Sequence, residues 1–160
     1  MKEFDHRTDW FFEGQISGKL VSYLILNGYE ILKDNSGNVK ARGEDIIAIK
    51  NGIKEVIEVK GYPSEFYTSG EKKGQKKKTR PEDQAKHWFS ECLYSCLKNY
   101  YKHKGNEDYI VAMAFPLHAR YFELIANVED FFTDFNVNLK VYCIDKDGDV
   151  TISNLNRNAR

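Results

Sequence analysis

The chain has 160 residues, 41% of them apolar and 30% charged, with 24 basic residues balancing 24 acidic ones. That length suits one domain spanning residues 1–160 with one core, and the composition is that of an ordinary globular protein. No stretch approaches the roughly 20 apolar residues of a membrane helix, so no membrane partner is expected. Zero net charge argues against a protein held to nucleic acid by charge over its whole surface. The start, Met1-Lys2-Glu3-Phe4-Asp5-His6-Arg7, lacks an apolar signal core, and a cytoplasmic location is the default expectation.

Taken in chain order, apolar residues at Ile16, Leu20 and Leu24, with Val21 and Trp10 beside them, predict a helix over about 9–27. Gly28 is a natural cap. Tyr29 to Leu32 reads as a short strand, and Asn35-Ser36-Gly37-Asn38 as a turn. Next come Asp45 to Lys50, Asn51-Gly52, and Ile53 to Lys60. Two β-rich runs around Asn-Gly form the strongest short-range hairpin signal. Residues 61–78 read as a long loop, a length associated with function or disorder. Thr79-Arg80-Pro81-Glu82 has the form of a capping box with proline in the first turn. The helix it opens would bury Ala85, Trp88, Phe89, Cys92, Leu93, Cys96, Leu97 and Tyr100. Tyr109 to Phe115 reads as a buried strand. A third helix is expected over about 119–135 through Phe122, Ile125, Val128 and Phe132. Strands 138–144 and 150–154 close the chain. The three cysteines, Cys92, Cys96 and Cys143, form no metal-type pair, and His87 and His103 are poorly placed to help, so buried thiols are expected. Asp145, Asp147 and Asp149 lack the glycine and glutamate positions of an EF-hand loop, which leaves an Asp-Gly turn. The order predicts an α/β domain with helices flanking a central sheet.

The hairpin carries the chemistry. A two-residue loop at Asn51-Gly52 pairs Lys50 with Ile53, Ala48 with Glu55 and Asp45 with Glu58. Opposed residues share a face, and Lys60, two residues beyond Glu58, points to that same face. Ile and Val on both sides of these strands mark them as interior. Two opposed carboxylates repel each other and lose hydration, a cost that a divalent cation offsets, since Mg²⁺ takes one or two carboxylates together with waters and phosphate oxygens. The competing reading is a structural ion-pair cluster at the end of the sheet.

The segments Gly43-Glu44-Asp45-Ile46-Ile47-Ala48 and Ile57-Glu58-Val59-Lys60-Gly61 resemble the PD-(D/E)XK nuclease superfamily, which includes restriction endonucleases and archaeal Holliday-junction resolvases. The order of elements matches from about residue 9 to 154, although Glu44 stands where a proline often precedes the Asp. The resemblance implies a restriction endonuclease-like three-layer sandwich with a central mixed β-sheet. It implies hydrolysis of phosphodiesters, with DNA favoured over RNA, and Mg²⁺ or Mn²⁺ held by Asp45, Glu58 and the Val59 carbonyl. Lys60 would act on the water or the developing charge. Glu13 matches the helix glutamate and Gln84 the glutamine of the following helix. Glu13 reads equally as a first-turn acid facing the helix dipole, and Gln84 as a polar flank of an apolar face. A homodimer is implied where both strands are cut.

Lys72, Lys73, Lys76, Lys77, Lys78 and Arg80, against Glu71, give residues 70–80 a charge of +5 and the remainder −5. This patch is a candidate for contacting nucleic-acid phosphates; a solvated loop is the alternative. Two other functional readings stand beside the nuclease: a non-catalytic nucleic-acid-binding or assembly module on the same fold, and an unrelated α/β interaction protein.

Overall fold

Alternating apolar residues build a sheet here because successive side chains of a strand face opposite sides. The computed structural model describes residues 5–35 and 43–159. Among these, β1 (Glu30–Asp34), β2 (Ile46–Lys50), β3 (Ile53–Val59), β4 (Tyr109–Pro116), β5 (Lys140–Ile144) and β6 (Val150–Asn154) form one sheet in the order β1-β2-β3-β4-β5-β6. Pairing is antiparallel except for β3–β4 and β4–β5, which are parallel. The expected hairpin register is present, with Lys50 opposite Ile53 and Ala48 opposite Glu55. Asn51 and Gly52 both have positive φ (53° and 82°), the backbone that a two-residue type I′ turn requires.

One face of the sheet offers Ile46, Ala48, Ile57, Val59, Ala112, Ala114, Tyr142 and Ile144 to Ile16, Leu20 and Leu24 of α1 (Glu13–Leu26). The other offers Val111, Met113, Phe115, Val141 and Cys143 to α2 (Pro81–Lys102), α3 (Ala119–Ala126) and α4 (Glu129–Asp134). Helices on both faces make a three-layer α/β sandwich, in which most of β4 is buried and reads as a nearly continuous apolar run. No helix among the described residues is long and apolar enough to cross a membrane.

Several boundaries differ from expectation. Helix α1 starts at Glu13 rather than near residue 9. Asp9 is instead drawn into a preceding 3₁₀ turn, His6–Thr8, where its carboxylate meets His6 Nδ1 at 2.7 Å. The capping box at Thr79 does not form. Arg80 is the N-cap and lacks a side-chain cap bond, while its guanidinium bonds Asp83. Pro81 does occupy the first turn. In α2, Leu97 faces outward and Asn99 is buried in its stead. The third predicted helix is two, broken at Asn127–Val128. Its core face is carried by Tyr121, Leu124 and Phe132, with Phe122 exposed. All three side chains join one core cluster. Of the predicted turn at 35–38, residues 36–38 lie outside the described residues.

The three cysteines are free and buried. Asp145 Oδ1 accepts the backbone N–H groups of Asp147, Gly148 and Asp149 at 2.8–2.9 Å, as a tight Asx turn requires.

Candidate active site

At the end of β3, three elements converge. Gly61 follows Lys60, and the chain entering α1 crosses directly over it. A Cβ on Gly61 would lie 2.5 Å from Glu13 N and 2.6 Å from Phe11 O. The Tyr62 N–H also donates to Phe11 O at 2.9 Å. A residue without a side chain is required at this crossing, and it delivers the first residue of α1, Glu13, to the end of the hairpin. Glu13 is therefore both a first-turn acid and a neighbour of Lys60.

Extending the β2–β3 register by one residue sets Asp45 opposite Glu58. The Asp45 carboxylate accepts the Val59 N–H at 2.8 Å, which fixes it across the end of β3. Lys60 Nζ lies 3.8 Å from Glu58 Oε1 and 4.0 Å from Glu13 Oε2. Asp45, Glu58, Lys60 and Glu13 all line one cleft of about 470 Å³, together with His6, Ser17, Trp88 and Lys77. One ammonium thus faces two carboxylates at the long limit of ion pairing, with a third, Asp45, in the same cleft.

The electrostatics bear the mark of that imbalance. Loss of hydration, then the neighbouring Asp45 and Glu13, push the Glu58 carboxyl up to about 7, against the pull of Lys60 and a hydrogen bond from Ser95. Burial likewise raises Asp45 despite the Val59 N–H and Lys60. Glu13 is raised by removal from water and by Asp45, with Lys60 and the Gly61 N–H opposing. For Lys60, burial disfavours the charge, but Glu13, Glu58 and Asp45 outweigh it and hold the ammonium protonated. Crowded like charges in a cleft mark this cluster as the candidate site.

Among the described residues, no group of three or more His, Cys, Asp or Glu side chains is gathered closely enough to hold a metal ion unaided. The donor set nonetheless fits a hard divalent cation, because Mg²⁺ needs only one or two carboxylates and retains its waters. Asp45 and Glu58 would be that pair. The Val59 side chain is in the core and its N–H is given to Asp45.

Gln84 does not line the cleft. Its Oε1 accepts from Lys77 Nζ at 3.1 Å, and Lys77 lines the cleft in its place. The basic segment is an arm rather than a featureless loop. Phe66 bridges Lys76, and the Tyr67 N–H reaches Gln75 O and the Lys77 N–H reaches Glu65 O, folding residues 65–77 back on themselves. Lys72, Lys73, Lys76, Lys78 and Arg80 are exposed on or beside this arm. Lys72 Nζ sits over the Tyr67 ring, and Lys76 and Arg80 pair with Glu65 and Asp83. The cleft also contains Trp88, which helical periodicity assigns to the core, and His6, which carries no sequence signal.

No protein-family model matches the chain, and no curated protein matches it. Among solved structures, the crystal structure of an FdxN element excision controlling factor protein from Anabaena variabilis is similar. Its TM-score is 0.50 at 18% identity, covering 88% of this chain and 98% of that one. At this identity the likeness is one of fold, and the three-layer mixed-sheet architecture is consistent with a restriction endonuclease-like fold.

Proposed function

We propose that the chain is a divalent-cation-dependent nuclease of the PD-(D/E)XK kind, hydrolysing phosphodiester bonds of nucleic acid, with DNA as the favoured substrate. One observation carries this reading: Asp45, Glu58, Glu13 and Lys60 meet in a single cleft at the end of the central hairpin, with an excess of negative charge.

Asp45 and Glu58 would hold Mg²⁺ or Mn²⁺, with the Val59 carbonyl as a further ligand and Glu13 in reserve for a second ion. When bound, the cation supplies Lewis-acid polarisation of the phosphate and lowers the pKa of water. The remaining work belongs to side chains. The Val59 N–H orients the Asp45 carboxylate. Lys60, kept protonated by its three acidic neighbours, orients water or donates to the oxygen on which charge develops. The arm bearing Lys72, Lys73, Lys76, Lys77, Lys78 and Arg80 supplies backbone contacts that carry no base information. A homodimer would serve cleavage of both strands.

The second reading, a non-catalytic nucleic-acid-binding module, draws on the ability of Lys60 to balance part of the acidic charge by itself. Incubating labelled duplex, junction, flap and single-stranded DNA and RNA with the protein and Mg²⁺ or Mn²⁺ separates the two. Cleavage by wild type that disappears with EDTA and in Asp45→Asn is expected. Binding without cleavage of any member overturns the nuclease reading in favour of the module.

A further inference from the structure

Lys77 differs from the other cations of the arm. It is half-buried at the arm's base and lines the cleft together with Asp45, Glu58 and Lys60. Its ammonium donates to a neutral amide oxygen, Gln84 Oε1, at 3.1 Å. Among the described residues no carboxylate lies within ion-pair distance of it, whereas Lys76 and Arg80 of the arm each have one and Lys60, in the same cleft, has two. A partly dehydrated ammonium that meets only a neutral acceptor retains its full attraction for an anion. Burial accordingly lowers the Lys77 pKa.

The partner's chemistry follows from the location. The acidic groups on the cleft floor repel a free carboxylate ligand. A phosphodiester strand, by contrast, offers anionic oxygens at successive positions, so one nucleotide unit can reach Lys77 while its neighbours lie along the exposed cations of the arm, away from the carboxylates. Gln84 sits in the first turns of α2 and is half-buried. Its amide holds the lysine's long, rotatable chain in the cleft and so reduces the entropy lost when an anion is bound.

We propose that Lys77 is the cleft's own ligand for a non-bridging phosphate oxygen of a polynucleotide, and that Gln84 is a positioning residue acting through Lys77. This rests on the nuclease reading for the identity of the cleft but concerns binding alone.

The test measures fluorescence anisotropy of labelled duplex and single-stranded oligonucleotides in EDTA, across a salt series, with wild type, Lys77→Ala, Lys77→Arg, Gln84→Leu and Lys78→Ala. Thermal melts confirm that each variant is folded, and cleavage with Mn²⁺ is read in parallel. Loss of a charge-assisted hydrogen bond predicts about tenfold weaker binding for Lys77→Ala, with the salt slope reduced by roughly 0.7–0.9. Lys77→Arg retains most of the affinity, Gln84→Leu loses about threefold with its salt slope unchanged, and Lys78→Ala loses less than Lys77→Ala. Lys77→Ala binding like wild type, or Lys78→Ala falling as far as Lys77→Ala, overturns the proposal. Displacement of the oligonucleotide by millimolar inorganic phosphate at constant ionic strength overturns the polynucleotide assignment in favour of a small-anion site. If Lys77→Ala loses affinity while wild type cleaves nothing, this proposal stands and the nuclease reading falls. If wild type cleaves and Lys77→Ala binds and cleaves unchanged, the reverse holds.

Discussion

Two acidic clusters border the same strand, β3, and they are built on opposite plans. Glu55, 3% exposed, accepts from Tyr29 Oη at 2.8 Å, Lys140 Nζ at 2.7 Å and Tyr142 Oη at 2.5 Å. Lys140 also lies over the Tyr29 and Tyr142 rings. The one carboxylate has three donors. At the other end of the strand, three carboxylates share one ammonium at 3.8–4.0 Å or beyond. The first cluster answers every polar group it buries, as a structural network must. The second leaves negative charge unanswered next to an open cleft. Residues three apart on one strand fall on opposite faces of the sheet, so Glu55 and Glu58 share a strand while meeting different surroundings.

The same chemical change should therefore have opposite signs at the two positions. Glu55→Gln removes the charge that Lys140 was buried against, and breaking such a pair costs about 3–5 kcal/mol. Urea unfolding at neutral pH is expected to show a loss of that order. A loss below about 1 kcal/mol would mean that the Glu55 cluster is not the structural partner in this contrast.

Lys60→Ala probes the other cluster through activity. The variant should fold and bind nucleic acid, yet cleave about 10²–10³-fold more slowly, the usual cost of deleting one donor to developing charge. Single-turnover rates at saturating protein measure this directly. Wild-type rates would strip Lys60 of a catalytic role, and failure to fold would make the cleft a structural ion cluster like that of Glu55.

Glu58→Gln should stabilise the protein in EDTA. The Glu58 carboxyl has an ordinary value of 4.5 and rises to about 7 on folding. The folded state thus binds its proton more tightly than the unfolded chain does. The stability penalty is absent below pH 4.5, grows between pH 4.5 and 7, and is complete above 7. A shift of that size is worth at most about 3 kcal/mol. Thermal melts should show Glu58→Gln gaining about 1–3 kcal/mol over wild type near pH 8 and nothing near pH 4. A destabilised variant at pH 8 would place Glu58 in the same class as Glu55.

This contrast was partly legible in the sequence. The register that opposes Asp45 to Glu58 follows from Asn51-Gly52, because a two-residue turn leaves no freedom in the pairing and a period of two then assigns every side chain to a face. The same arithmetic pairs Glu55 with Ala48 but says nothing of Tyr29, just before β1, or of Tyr142 and Lys140 on β5. Trp88 and Lys77 were illegible as cleft residues for a related reason. Helical periodicity places Trp88 on the apolar side of α2 without showing where the sheet beneath it ends. Nothing local to the 61–80 segment says that it folds back through Phe66 and Lys76 so that one lysine of five faces inward. Gln84 carried a motif signal, and what the motif does not encode is that Lys77 stands between it and the cleft. The false continuity of 119–135 arose because the 3.6-residue period carries on past Asn127: Tyr121, Leu124 and Phe132 share one helical face, so the apolar pattern does not register the interruption between Ala126 and Glu129.

The central claim is that the surplus of carboxylates around Lys60 exists to hold a divalent cation, and calorimetric titration with Mn²⁺ tests it most directly. Wild type at pH 8 should bind, with protons released and affinity falling as the pH is lowered through about 7, because the cation competes with the Glu58 proton. Asp45→Asn should lose the binding, while Glu55→Gln, measured below its unfolding temperature, should retain it. Equal binding by wild type and Asp45→Asn, or no binding by either, would contradict the account.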